Sequence, residues 1–124
     1  MKTPLVISEN EALNGALFNT FKNTKNILFR NEIFSLMMEA EMQLKMAFDP
    51  KIPFSFVKRM QKIRGIWARL QSMLLLAEML EICSATAAEK CLKKLEKVQK
   101  ISFGLLRYIE ARKTKAQANS EIGS

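Results

Sequence analysis

Seven cations in two stretches of this chain recur at spacings that could let them act together. Lys58, Lys62 and Arg69 lie on one stretch, and Lys93, Lys97, Lys100 and Arg107 on the other. Residues three, four and seven apart share a face of a helix, so each set reads as one basic stripe. A stripe of this kind neutralises the phosphates of a nucleic-acid backbone by electrostatics, with no need to read bases. The opposite sides are apolar at the same period. Phe56, Met60, Ile63, Trp67, Leu70, Leu74 and Ala77 line one, and Ala88, Cys91, Leu95, Val98, Ser102, Leu105 and Ile109 the other. The unit that must position the cations is therefore a helical hairpin, apolar on one side and basic on the other. Trp67 and Phe103 are assigned to packing, which leaves the stripe without aromatic platforms for stacking bases.

The remaining chemical residues exclude more than they offer. There is no histidine to serve as a base, and Asp49 is the only aspartate. No glycine-rich phosphate loop occurs, and Glu-x-x-His pairs for a di-iron bundle cannot be written. Glu78 and Glu81 fall at the edge of a helix stripe, where solvation or pairing with lysine accounts for them. Cys83 and Cys91 are too few for a zinc set without histidine. No catalytic residue, metal ligand or cofactor is expected, and the chain reads as a non-enzyme. The two cysteines read as buried free thiols of a reducing compartment. The opening stretch from Met1 to Ile7 has too short an apolar run for a signal peptide. Met73 to Ala77, stopped by Glu78, is far too short for a membrane span. A cytoplasmic protein with no membrane role is the expectation.

The charge balance points the same way as the stripes. Twenty lysines and arginines against twelve acidic residues give a net charge of +8 and a pI near 9.7. A chain this basic favours a polyanionic partner, RNA or DNA ahead of an anionic lipid surface. The competing reading is a helical protein-interaction bundle whose charge only solubilises it.

Four glycines and three prolines in 124 residues favour helix throughout, and the length fits one domain. The pattern predicts an all-α, up-down four-helix bundle with helices over about 9–21, 27–48, 55–82 and 87–115. Flexible ends are expected at 1–7 and 119–124. Ser8 with Glu11 and Thr86 with Glu89 read as capping boxes, and Ser55 as the cap of the third helix. In the first helix Leu13, Leu17 and Phe21 face inward, weakened by Gly15 and the asparagines. Lys22 to Asn26 is a polar turn. The second helix, closed by Asp49-Pro50, is apolar on two sides. Ile33, Leu36, Ala40, Leu44 and Ala47 form one face, and Phe34, Met38, Met42 and Met46 a second. The second face either sits deep in the bundle or forms an oligomer interface, for which methionine is well suited. Gly65 and Gly104 lie on the basic sides; Gly65, in mid-helix, marks either close approach of a ligand or backbone, or tolerated drift.

One stretch carries a family pattern. Lys97-Val98-Gln99-Lys100-Ile101-Ser102-Phe103-Gly104-Leu105-Leu106-Arg107 resembles the closing motif of small bacterial four-helix proteins. These are the accessory variability determinants of diversity-generating retroelements and the proteins encoded in 23S ribosomal RNA intervening sequences. Val98, Lys100, Gly104, Leu105, Leu106 and Arg107 fit, whereas Lys97 stands in place of an acid and Gln99 in place of a glycine. Leu70, Leu74, Leu76-Ala77, Leu80 and Ser84 resemble the family's third helix, and Glu39-Ala40 with Phe48-Asp49 the end of its second. Phe21, Ile27, Phe29 and Ile33 follow its first junction loosely, without the usual proline and with Glu32 where a base is common. The resemblance spans about residues 21–112. It implies a homopentameric barrel with a basic surface, which binds nucleic acid and assists a reverse transcriptase in copying template RNA.

Overall fold

The computed structural model describes residues 3–52 and 56–122, the side chains of 120–122 excepted. The described residues form four helices: α1 (Leu5–Phe21), α2 (Ile27–Ala47), α3 (Phe56–Met79) and α4 (Ala85–Ile122). Each packs on its neighbours in the chain, and α4 closes on α1. Side-chain pairs give the directions. Phe18 meets Phe34 and Phe21 meets Phe29; Arg69 meets Glu32 while Arg59 meets Gln43. Gln99 meets Gln71 while Phe103 meets Arg64. In each case the number rises on one helix as it falls on the other, so successive helices are antiparallel and the bundle is up-down.

The inward faces follow the apolar period closely. Met60, Ile63, Trp67, Leu70, Leu74 and Ala77 of α3 and all five residues of the first α2 face are buried, with Leu13, Leu17 and Phe21. Ile66 and Val6 join them. On α4 the buried positions are Ala88, Cys91, Leu95, Val98, Ser102 and Leu106; Leu105 and Ile109 are only half-buried. The expected stripe placed Leu105 inward, but a step of four after Ser102 keeps Leu106 over the core while Leu105 turns towards α1.

The helix ends differ from their expected places for local reasons. α1 begins at Leu5 because the Pro4 carbonyl accepts from the amides of Ile7 and Ser8. Ser8 is thus inside the helix, its hydroxyl donating to the Leu5 carbonyl at 3.0 Å, and no capping box forms there. Val6 is buried, so part of the arm expected at 1–7 is core helix. Asn26 caps α2, its Oδ1 accepting from the Phe29 amide at 3.0 Å. At α4 the cap is Ser84, whose hydroxyl oxygen accepts from the Ala87 amide at 3.1 Å; Thr86 already lies within the first turn. α3 ends three residues before the expected Ile82 through a left-handed Glu81 (φ 59°). There the Ile82 amide donates to the Ala77 carbonyl and the Glu81 amide to the Glu78 carbonyl, a Schellman closure. Pro53, Phe54 and the expected cap Ser55 lie outside the described residues.

α4 is 38 residues long and reaches Ile122, past the expected end at 115. From Glu110 to Asn119 every side chain is exposed. Given the antiparallel register of α3 and α4, this segment runs beyond the start of α3 as a single helix. Among the described residues, no helix is long and apolar enough to cross a membrane.

Candidate nucleic-acid interface

Helical rotation of about 100° per residue sends the two basic stripes to different flanks of the hairpin. Lys58, Lys62 and Arg69 share the side of α3 that turns towards α2. Arg69 shows it directly, donating to Glu32 of α2 at 3.2 Å. On α4, Lys97 turns the other way and pairs with Glu9 of α1 at 3.0 Å. Lys93 and Lys100 pair along α4 itself, with Glu89 at 3.4 Å and Glu96 at 3.0 Å. The seven cations therefore do not form one uninterrupted wall. Carboxylates of α1, α2 and α4 divide them, while Lys58 and Lys62 are exposed with no carboxylate in pairing distance among the described residues. Three of the four pairs are open to water on both sides, where an ion pair contributes only ~0–1 kcal/mol and an incoming phosphate competes with the carboxylate; in the fourth, Glu9 is partly covered.

The seam between α3 and α4 holds the tighter cluster. A shallow groove runs there between Arg64, Ala68, Glu96, Gln99, Lys100 and Phe103. Phe103 is 47% exposed, which corrects its assignment to packing; Trp67 is fully buried, as assigned. The guanidinium carbons of Arg64 and Arg107 lie 5.3 and 5.5 Å from the Phe103 ring centroid. Both distances are within cation–π range. Gln99 donates to Gln71 across the seam at 3.3 Å. Arg64 on α3 and Arg107 on α4 are thus brought together by an aromatic ring. Of the stripe residues, Lys100 and Arg107 belong to this cluster; Lys58, Lys62, Arg69, Lys93 and Lys97 lie outside it.

Sequence reasoning missed Arg64 and set Phe103 aside as a packing residue. Arg64 falls off the Lys58–Lys62–Arg69 stripe by rotation, and Phe103 sits one residue from the buried Ser102, so neither shows up in a face-by-face count. The signal available was the four-residue step from Phe103 to Arg107. Gly65 and Gly104 meet nothing within 4 Å of where a Cβ would stand, so neither is held to glycine by a neighbour within the chain.

The second α2 face splits as well. Met38 and Met42 are 67% and 58% exposed, beside the half-buried Phe34, which stacks on Phe18 at 5.7 Å. Met46 is half-buried instead, with its Sδ 3.5 Å from Arg59 Nη1 in the α2–α3 contact. Both thiols are unbridged, Cys91 buried and Cys83 half-buried. Burial is the main cause that pushes each above its ordinary pKa. Among the described residues, no group of three or more cysteines and acids is arranged to hold a metal ion. Comparison of the chain with known protein families, curated proteins and solved structures finds no match.

Proposed function

We propose that this bundle is a non-enzymatic nucleic-acid-binding protein that grips phosphates along the α3–α4 side. The observation that carries the reading is the exposed Arg64–Phe103–Arg107 cluster, flanked by Lys100, on a chain of net charge +8. Two guanidiniums at one seam match the oxygens of a phosphate in a planar, two-pronged way that scattered lysines do not. Lys58 and Lys62 on one flank, and the exposed Arg112, Lys113 and Lys115 of projecting α4, extend the field along the molecule. The family resemblance of α4 supplies a setting for this activity. There the bundle serves as an accessory of the reverse transcriptase of a diversity-generating retroelement, acting on its template RNA in the cytoplasm.

A salt titration of fluorescence anisotropy with a duplex probe tests the reading. About five engaged phosphates give a slope of −4 to −5 in log affinity against log salt. Reversing Arg64 and Arg107 together to glutamate is expected to weaken binding at least tenfold, while reversing Lys97 and Arg69, already held by Glu9 and Glu32, weakens it less. Undiminished affinity in the Arg64→Glu/Arg107→Glu protein overturns the proposal.

A second reading concerns assembly, and the exposed Met38 and Met42 favour it. With Phe34 they line an open apolar groove on α2 that a second copy of the chain could cover. Such a homo-oligomer, a pentamer in the family the chain resembles, is expected to fall apart in sedimentation when Met38 and Met42 become lysine. If no oligomer sediments from the wild type, this second reading fails while the first stands.

A further inference from the structure

The Phe103 cluster has more than charge, and what it adds is a place for a flat, unpaired base. We infer that the seam takes an unpaired nucleobase of a folded RNA, in a loop or bulge, rather than only the backbone of a duplex. This rests on the nucleic-acid reading and names the part of the polymer that the seam selects.

Four observations converge. Phe103 leaves nearly half its surface open to solvent, within reach of a ligand. Arg64 and Arg107 reach the same ring from two different helices, so planar cations surround an aromatic platform. The groove beside it offers Gln99, hydrogen-bonded to Gln71, whose amides can exchange that bond for the edge of a base. Lys100, paired with the exposed Glu96, stands at the same groove for the adjoining phosphate. A base stacks on an aromatic face or on a guanidinium plane, and only an unpaired base presents its face. A duplex hides those faces in its own stack. In RNA such bases are splayed out in loops and bulges, where proteins most often read them. Duplex DNA offers no such base, whereas a folded RNA displays several, which is why the occupant is taken to be RNA.

The test compares two RNAs with equal numbers of phosphates, a blunt duplex and a hairpin carrying 2-aminopurine in its loop. The wild type is expected to bind the hairpin about tenfold more tightly, the scale of one stacked base, and to quench the probe. Phe103→Leu is expected to lose the quenching and to bring the hairpin affinity down to that of the duplex. Phe103→Trp keeps a platform and keeps both. Arg64→Lys with Arg107→Lys retains charge but loses the planes, and is expected to lower the hairpin preference. Equal wild-type affinity for hairpin and duplex overturns the stacking site and leaves phosphate binding standing. Failure to bind either RNA overturns phosphate binding as well. Tighter binding of the same loop made as DNA overturns the assignment to RNA.

Discussion

Trp67 of α3 donates its indole N–H to Asn10 Oδ1 of α1 at 3.1 Å, across the diagonal of the bundle. Both residues are sealed from water, Asn10 at 1% exposure. Asn10 Nδ2 then donates to Glu41 Oε2 of α2 at 3.2 Å, and Asn14 Nδ2 donates to the same oxygen at 3.0 Å. One polar chain thus joins three helices, running from the buried Trp67 and Asn10 to the half-buried Asn14 and Glu41. Asn10→Ala leaves the indole N–H buried and unpaired, which is expected to lower stability by about 2 kcal/mol in urea unfolding. Trp67→Phe is expected to cost less in the Asn10→Ala background than alone. Strict additivity of the two changes would show that the bond is not coupled.

Ser102 presents the opposite case. Its hydroxyl is buried at the centre of α4 with no hydrogen-bond partner among the described residues. Ser102→Ala removes a polar atom from an apolar setting and adds helix propensity, so stability should rise by about 1 kcal/mol. A fall in the unfolding midpoint would mean that the hydroxyl finds a partner in solution.

Glu81 holds the left-handed turn that closes α3, a conformation in which a Cβ is strained. Glu81→Gly keeps both Schellman bonds and relieves the strain. We expect a gain of about 0.5–1 kcal/mol, measured as a higher urea midpoint with an unchanged slope. Glu81→Val, β-branched, should lose stability at the same place.

The thiols set an alkaline limit. Burial raises Cys91 despite the opposing hydrogen bond to Thr20 and the nearby Lys90 and Lys94; burial also raises Cys83, helped by Cys91 and Glu78. A raised folded pKa means that the native state holds its thiol proton longer than the unfolded chain does. Their contribution is therefore complete below the ordinary thiol value of about 8.5 and is lost as pH rises through the folded values. Unfolding midpoints should fall above that pH, and by less in Cys83→Ala. At pH 8 a thiol reagent should label Cys83 before Cys91. Labelling of Cys91 first would contradict its burial against Thr20.

The sequence by itself determined the four helices and most of their inward faces, because a 3.6-residue period is local and survives without knowledge of neighbours. Met60 to Ala77 and Ile33 to Ala47 show this best. The caps were less legible. Ser8 and Thr86 satisfy the same short pattern as true caps, but Pro4 and Ser84 won those ends through bonds that no pattern ranks. Only the tertiary structure decided what the charges and the polar core do. Whether Lys97 meets Glu9, or Arg69 meets Glu32, depends on how far each helix is rotated against its neighbour, and rotation is set by packing. The same rotation brought Arg64 to Phe103 and Asn10 to Trp67, residues 39 and 57 positions apart, which no spacing along one helix could join.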